Sequence, residues 1–218
     1  MTNKTIYDFT NKKEHNHPFA PFITDNTTTL ILGTFPGKNY TDPCIKTDPD
    51  DWYYGNKNNK FWKIIEYAFD CKNPLNTKTD KQNALAKNNI GITDIIQKAR
   101  RKQNNNSDEN LDVTEIRNLN AILEKYPNIT AILLTSKDMH TRFFTRYYVK
   151  TDGAVLYEIK REEKYEQNLK IDIYHYTFNG RLIRVIPLHS PARETISTEI
   201  KKKIYKWAIK YVKISSND

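Results

Sequence analysis

The sequence predicts an α/β fold, specifically a three-layer α/β/α sandwich around a mostly parallel central sheet of about four strands. Short apolar runs at residues 30–32 and 129–134 have the length and composition of buried strands. Segments with apolar residues at helical spacing alternate with such runs, and this alternation is typical of a parallel sheet covered by helices. We expect residues 1–29, which are polar, to form an extended segment packed on one domain that spans residues 30–218.

Composition narrows the class of protein. The 218 residues include 35 Lys and Arg against 26 Asp and Glu, a formal net charge of +9 that favours a polyanionic partner, nucleic acid before an anionic membrane. The two cysteines, Cys44 and Cys71, are too few for a disulfide framework or an iron–sulfur cluster. The sequence contains neither a signal peptide nor an apolar run of spanning length, so we expect a cytoplasmic, nucleoid-associated monomer.

The stretch from Leu30 to Trp62 is the part that the other elements are expected to support. Three apolar residues lead into Gly33, and Pro36 and Gly37 then predict a tight turn. The loop beyond is rich in aromatic rings, amides and lysines. Loops of this kind at the carboxyl end of a buried strand bind ligands in open α/β sheets, although a plain turn followed by core aromatics fits this stretch equally well.

The remaining elements follow in order. We predict helices at 61–69, 113–126, from 137 to about 148, and 194–212, and a short helix ending near 84–86. Residues 90–96 form a strand or a strand-to-helix turn, residues 97–108 a basic and then structureless loop, and residues 151–168 a charged excursion. Asn179-Gly180 favours a type I′ turn between strands at 169–178 and 181–187.

Four strand ends are expected to meet at one edge of the sheet. They carry Gly33-Thr34-Phe35-Pro36, Thr93-Asp94, Thr135-Ser136-Lys137, and the segment 187–193. The last segment presents His189, Ser190 and Arg193 just before a helix, whose free N–H groups suit a phosphate. A serine hydrolase is disfavoured, because Ser190 lacks the small-residue elbow of such enzymes.

No cofactor or metal is expected. The sequence has no glycine-rich dinucleotide fingerprint and no Walker loop. His15 and His17 lack an acidic or thiol companion at ligand spacing, so they are more typical of ordinary polar residues than of a metal site.

Four motifs together resemble the uracil-DNA glycosylase superfamily, nearest the branch of hypoxanthine-DNA glycosylases and relatives of the mismatch-specific enzymes. They are Leu-Ile-Leu-Gly-Thr-Phe-Pro-Gly (30–37), Tyr-Tyr-Gly-Asn-Lys-Asn-Asn-Lys-Phe-Trp (53–62), Gly-Ile-Thr-Asp (91–94) and Pro-Leu-His-Ser-Pro-Ala-Arg (187–193). The resemblance implies a monofunctional enzyme that flips a deaminated or modified base out of DNA and hydrolyses its N-glycosidic bond. Because the transition state places positive charge on the sugar and negative charge on the base, the site needs positioned water, donors and a stacking surface.

The resemblance also implies roles for single residues. Phe35 stands where relatives usually hold Asp or Asn, so the water-positioning role passes to Asn59 or to its neighbours Asn56 and Asn58. A surface or helix-capping amide is the alternative for Asn59. His189 is a second catalytic candidate, although aligning Ser190-Pro191 with the family motif places Leu188 where the family histidine stands.

Base-binding and DNA-binding roles complete this set. The base would contact Phe35, Tyr53, Tyr54 and Asp94, each of which also fits ordinary packing or capping. The DNA backbone would contact Lys38, Lys137, Ser190, Arg193, Arg100 and Arg101, the last two in a cluster that also fits a solvated loop. Because position 35 holds Phe and no carboxylate, we do not expect efficient uracil excision. Hypoxanthine, mismatched bases and bulky modified bases remain candidate substrates.

Two other classes of function remain open. One is a non-catalytic nucleic-acid-binding protein that keeps the fold and the basic edge, and the other is a phosphoesterase.

Overall fold

The computed structural model of this chain describes residues 13–42, 45, 51–102, 107–149 and 156–214. Nine strands lie in these ranges: β1 (Glu14–Asn16), β2 (Thr29–Gly33), β3 (Ile90–Asp94), β4 (Ile96–Arg101), β5 (Leu111–Ile116), β6 (Ala131–Leu134), β7 (Tyr157–Glu166), β8 (Leu169–Phe178) and β9 (Arg181–Pro187). The α-helices in the same ranges are α1 (Lys38–Thr41), α2 (Phe61–Ala68), α3 (Lys78–Lys87), α4 (Leu119–Lys125), α5 (Lys137–Met139), α6 (Thr145–Tyr148) and α7 (Thr198–Ile214). A π-helical turn at His140–Phe144 joins α5 to α6, and a 3₁₀ turn at Asp108–Asn110 precedes β5.

The larger sheet has six strands in the order β3-β2-β6-β9-β8-β7. The first four are parallel to one another, and β8 and β7 extend the sheet as antiparallel strands. The predicted number of about four strands is therefore wrong, although four is the size of the parallel part. The extra strands come from the hairpin and from the segment before it, because antiparallel neighbours need only short connections.

Alternate residues of β2 enter different hydrophobic clusters, because successive side chains of a strand point to opposite faces. Ile31 belongs to a cluster that includes buried side chains of α2 and α7. Leu30 and Leu32 belong to a second cluster that includes side chains of α4 and α6. The fold is thus a mixed α/β fold in which both faces of the parallel strands are covered.

A second, three-stranded sheet lies where the sequence predicted a loop and the start of a helix. Its order is β1-β4-β5, and both pairs are antiparallel. The predicted helix at 113–126 begins only at Leu119, because residues 111–116 pair with β4. Val113, Thr114 and Ile116 are β-branched, which favours a strand once a partner is available. Of the segment 97–108 predicted as a loop, residues 103–106 lie outside the described residues.

The hairpin prediction is confirmed. The prediction of a charged excursion at residues 151–168 is wrong for residues 157–166, and residues 151–155 lie outside the described residues. Asn179 and Gly180 have φ of 48° and 77°, the positive values that a type I′ turn requires at both positions. Residues 157–166, by contrast, form β7, which is the edge strand of the larger sheet. Cross-strand ion pairs such as Arg161–Asp172 line this edge, and charged side chains of this kind protect an edge strand from further pairing.

The N-terminal segment is attached to the second sheet and then crosses to the larger one. His15 pairs with Ala99 in β1–β4, and Phe22 forms an antiparallel bridge with Ile92 of β3. Residues 1–12 and Cys44 lie outside the described residues. Among the described residues, no helix is long and apolar enough to cross a membrane.

Candidate active site

A cavity of about 550 Å³ lies where the four parallel strands end. Segments 34–37, 94, 135–136 and 190–193, which follow or end β2, β3, β6 and β9, all line it. The rest of the wall comes from the loop of residues 53–59, from Phe19 and Tyr40, and from Ser107 and Asp108. The four strand ends therefore meet as predicted, because neighbouring parallel strands end at the same edge of the sheet.

Gly33 gives the centre of the site its shape. It is the last residue of β2 and pairs with Asp94, the last residue of β3. A Cβ atom at Gly33 would lie 2.1 Å from Asp94 Oδ1 and 2.3 Å from the Tyr54 hydroxyl. The absence of a side chain at this position thus makes room for a carboxylate and a phenol from two other segments.

Asp94 is held by a histidine from the N-terminal segment. His17 Nε2 lies 2.9 Å from Asp94 Oδ2, and both side chains are buried. His17 Nδ1 accepts a hydrogen bond from the backbone N–H of Phe19 at 3.1 Å, so the ring proton must be on Nε2. His17 therefore donates its Nε2–H to the Asp94 carboxyl group.

Asn59 lies in the wall of the cavity and also supports the start of α2. Its Oδ1 accepts a hydrogen bond from the backbone N–H of Phe61 at 2.9 Å. That bond orients the amide, because only the oxygen can face an N–H donor. Asn59 is half-buried, and its neighbours Asn56 and Asn58, which also line the cavity, are exposed.

Tyr54 presents its ring beside the centre of the site. Its φ of 57° is unusual for a residue with a side chain, and its ring stacks on Phe61 with the centroids 4.1 Å apart. The hydroxyl lies 2.9 Å from Thr135 Oγ1. Burial, and next the charge of Asp94, raise the pKa of Tyr54 well above its ordinary value of 10.0, so the phenol stays protonated at neutral pH.

Tyr53 and Phe35 form the aromatic wall next to His17. The Tyr53 hydroxyl donates to the carbonyls of Phe19 and Ala20 at 3.3 and 3.1 Å, so it anchors the N-terminal segment. Phe35 is half-buried and lies edge-on to the His17 ring, with centroids 6.0 Å apart. Both residues line the cavity, as the predicted stacking role requires.

Asp108 places a second carboxyl group in the cavity wall. Burial raises the pKa of this carboxyl above its ordinary value, and the charge of Asp94 raises it further. A bond to Thr34 and the charges of Arg193 and Arg101 act in the opposite direction. The charge of Asp94 in the same cavity therefore disfavours the ionisation of Asp108.

The turn after β9 contributes Ser190 and Arg193 to the cavity but not His189. Arg193 is exposed and donates to Asp138 Oδ2 at 2.6 Å. His189 is half-buried, and its backbone carbonyl accepts a bond from the Tyr205 hydroxyl at 3.0 Å. Burial, together with the charges of Lys137 and Lys201, lowers the pKa of His189 to about 4, so its imidazole is neutral at pH 7.

The other predicted DNA-binding cations lie outside the cavity wall. Lys38 lies 3.8 Å from Asp42, Lys137 donates to the carbonyl of Lys170, and Arg100 lies 3.8 Å from Asp112. Arg101 is buried, donates to the Pro36 carbonyl at 2.7 Å and lies over the Phe35 ring. Arg101 thus supports the loop after β2 from behind instead of presenting its charge at the surface.

Sequence reasoning missed His17 as the partner of Asp94 and Asp108 as a wall residue. His17 and Asp94 are 77 positions apart, and no spacing rule joins them. The residues that follow His17 offered one signal, since the rings of Phe19 and Phe22 are typical of a segment that packs against the body. Asp108 had no signal, because it follows a polar stretch that reads as a loop.

Comparisons with known proteins indicate the family of this chain. The sequence model of the uracil DNA glycosylase superfamily matches residues 20–209. A hypoxanthine DNA glycosylase of Methanosarcina barkeri is 29% identical over 119 residues, which are 55% of this chain and 70% of that protein. A hypoxanthine DNA glycosylase of Methanosarcina acetivorans is 26% identical over the same shares of both chains.

The fold is also found in a solved structure. The solution NMR structure of a candidate uracil DNA glycosylase from Methanosarcina acetivorans superposes with a TM-score of 0.59 at 17% identity and covers 92% of this chain and 99% of that one. At this identity the likeness concerns the fold alone. The match of the family model over most of the chain, including all four strand ends of the cavity, shows that the protein belongs to the uracil DNA glycosylase superfamily.

Proposed function

We propose that this protein is a monofunctional DNA glycosylase that rotates a deaminated or modified base out of DNA and hydrolyses its N-glycosidic bond, leaving an abasic site. The candidate substrates are uracil, hypoxanthine and modified pyrimidines. The names of the two Methanosarcina relatives favour hypoxanthine. The observation that carries the proposal is the cavity itself. Its wall is built from the four segments whose motifs define the resemblance to the superfamily.

The shape and chemistry of the cavity suit an everted nucleotide. A volume of about 550 Å³ is within the range of ligand sites and exceeds what a single base requires. Aromatic rings of Phe35 and Tyr54 offer stacking faces, and polar side chains line the same cavity. Unstacking a base costs a few kcal/mol, which such contacts offset. We further propose the three-layer arrangement for the fold, which the two clusters on opposite faces of the sheet support.

We assign the roles as follows. Asn59 positions the attacking water, since its amide lies in the cavity wall and is oriented by Phe61. Ser190 and Arg193 hold the distorted strand. For this, Arg193 must leave its exposed ion pair with Asp138 and instead contact a phosphate or fill the gap in the duplex. Exposed ion pairs contribute little stability, so this exchange is energetically easy.

The test is base release under single-turnover conditions from duplexes that contain uracil, hypoxanthine, xanthine or hydroxymethylated cytosine. We expect release from at least one of them, with strand scission only after alkali or heat. Asn59→Ala should lower the rate about 100-fold or more, as removal of a water-positioning group does. Strand scission without alkali or heat would instead indicate a phosphoesterase.

Asn59 also accepts a hydrogen bond from the first backbone N–H of α2, so a second variant separates the two roles. Asn59→Ser keeps an oxygen for the Phe61 N–H and removes the amide. We expect it to retain most of the thermal stability while losing as much activity as Asn59→Ala. Asn58→Ala, on the same loop and exposed, tests the alternative candidate: we expect the wild-type rate, and a loss in this variant instead of the Asn59 variants would transfer the role to Asn58. A rate unchanged in both Asn59 variants would refute the assignment.

A non-catalytic DNA-binding protein is the second candidate, and Phe35 is the observation that favours it. An aromatic ring at this position cannot orient or activate water. Salt-sensitive binding to all the duplexes, with release from none, would support this candidate.

A further inference from the structure

We propose that Asp108 is a further catalytic residue: its carboxylate takes a proton from the water that attacks the sugar of the everted nucleotide. The inference rests on the proposed glycosylase function, and it adds a residue that lies outside all four motifs of the family resemblance. Asn59, to which we assign the positioning of the water, carries an amide, which orients water but is not basic enough to accept its proton. The reaction therefore needs a separate proton acceptor.

Few groups in the cavity wall can accept that proton. Burial raises the pKa of the Tyr40, Tyr53 and Tyr54 phenols above the ordinary value of 10.0, so all three stay protonated at neutral pH. Among the residues that the structure describes, two carboxyl groups line the cavity, those of Asp94 and Asp108. These two carboxyl groups are therefore the candidates.

Asp94 is the less accessible of the two carboxyl groups. Its Oδ2 accepts the Nε2–H of His17 at 2.9 Å, and its Oδ1 is buried over Gly33. Asp108, by contrast, is only half-buried, so part of its surface remains open where it lines the cavity. Accessibility therefore favours Asp108 as the carboxyl group that the attacking water can reach.

The second sheet and the loop after β2 together place Asp108. It begins the 3₁₀ turn between β4 and β5, and its carboxyl group accepts a hydrogen bond from the side chain of Thr34, the residue before Phe35. The Phe35 side chain itself offers no acceptor for a proton. The connection between β4 and β5 thus brings a carboxyl group to a loop whose own side chain cannot act as a base.

The charges around Asp108 suit a general base. Burial raises the pKa of its carboxyl group above the ordinary value of 3.8, and the charge of Asp94 acts in the same direction. The Thr34 side chain and the guanidinium groups of Arg193 and Arg101 favour the ionised form. The carboxylate is therefore more basic than a free aspartate, and general bases act best when their pKa approaches the working pH.

The step balances with these groups and water alone. The water oxygen forms a bond to C1′ of the sugar, and the C1′–N bond breaks with its electron pair going to the base. One water proton passes to the Asp108 carboxylate, which later returns it to solvent, and the base leaves as an anion that takes up a proton. The negative charge of Asp108 also stabilises the positive charge on the sugar in the transition state.

Chemical rescue tests this role under single-turnover conditions, on whichever of the four duplexes releases its base fastest. Asp108→Asn keeps the shape of the side chain and should lower the rate about 100-fold or more, as loss of a general base does. Asp108→Ala should lose as much, and added formate, a small carboxylate that fits the vacated space, should raise its rate about 10-fold. Formate should not raise the rate of wild type or of Asp108→Asn, because their side chains fill that space.

Glu109→Gln is the matched control. Glu109 follows Asp108 in the same turn, is exposed, and pairs with Arg142 at 3.1 Å outside the cavity wall. We expect this variant to release the base at the wild-type rate. A rate for Asp108→Asn within about 3-fold of wild type, or a failure of formate to raise the rate of Asp108→Ala, would overturn the proposal.

Binding tests Asp108 even if wild type releases no base and the glycosylase proposal fails. A duplex with a protonated pyrrolidine in place of one sugar is cationic where the transition state is positive, and the same duplex with tetrahydrofuran is neutral. We expect wild type and Glu109→Gln to prefer the pyrrolidine duplex, and Asp108→Asn to lose about 10-fold of that preference. An unchanged preference in Asp108→Asn would refute the inference, whatever the outcome for release.

Discussion

At the scale of single residues, the site depends on one position where a side chain is absent. Asp94 Oδ1 and the Tyr54 hydroxyl both occupy the space that a Cβ on Gly33 would fill. The carboxylate and the phenol come from β3 and from the loop before α2, and only a glycine at the end of β2 lets them approach each other. Gly33 is thus needed for space and not for an unusual backbone conformation.

Gly33→Ala should therefore damage the site directly. The added methyl group must displace Asp94 or Tyr54, which we expect to lower the free energy of unfolding by about 1–3 kcal/mol and to abolish most base release. Gly180→Ala is the control, because nothing lies within 4 Å of its Cβ position but its φ is +77°. It should cost about 1 kcal/mol in stability and leave activity intact. Chemical denaturation and single-turnover release measure the two effects, and full activity of Gly33→Ala would contradict this account.

At the scale of elements, two neighbouring arginines of β4 have opposite roles. Arg101 points inward, where it donates to the Pro36 carbonyl beneath the Phe35 loop, and Arg100 points outward near Asp112. Strand alternation decides this difference, because adjacent side chains face opposite sides of the sheet. The sequence grouped both in one basic cluster, since the strand itself was not predicted.

Arg101→Ala should be far more costly than Arg100→Ala. Loss of Arg101 leaves the Pro36 carbonyl without its charged donor, and we expect a loss of about 1.5–3 kcal/mol in the free energy of unfolding. Arg100 is partly exposed, so its removal should change stability by less than about 0.5 kcal/mol. Urea unfolding of both variants checks this, and equal losses would show that the alternation does not set their roles.

Elements with strong local signals were predictable, and elements defined by distant partners were not. The apolar β2 and β6, the amphipathic α2 and the Asn179-Gly180 turn follow from residues within a few positions of one another. β7 is stabilised by pairing with β8 along its whole length, and its charged residues carry no apolar alternation that reveals it. For the same reason the cavity residues on the four strand ends were predictable, whereas the contact between His17 and Asp94 was not.

At the scale of the whole molecule, a buried histidine couples stability to pH. His140 stacks on Tyr174 with centroids 3.7 Å apart, and its Nε2 lies 2.8 Å from the Tyr176 hydroxyl. Burial, followed by the charge of Arg161, lowers the pKa of His140 from 6.5 to about 4. The unfolded chain therefore binds more protons than the folded one between these two values.

Stability should fall as the pH is lowered from about 6.5 towards 4. We expect a slope of up to about 1 kcal/mol per pH unit from His140, allowing for screening by solvent. His140→Phe should reduce the slope across this window, as measured by denaturation at several pH values. Leu123→Ala, which removes buried packing in α4 and no titrating group, should lower stability equally at every pH. An unchanged slope in His140→Phe would contradict the prediction.

The N-terminal segment has a practical consequence for anyone who shortens this protein. Residues 13–22 supply none of the six strands of the larger sheet, although Phe22 bridges to β3, so a truncation that removed them would leave all six strands in the chain. Such a truncated protein would lack both the imidazole that orients Asp94 and the ring of Phe19 in the cavity wall. A shortened chain that folds and is inactive would therefore say nothing against enzymatic activity in the intact one.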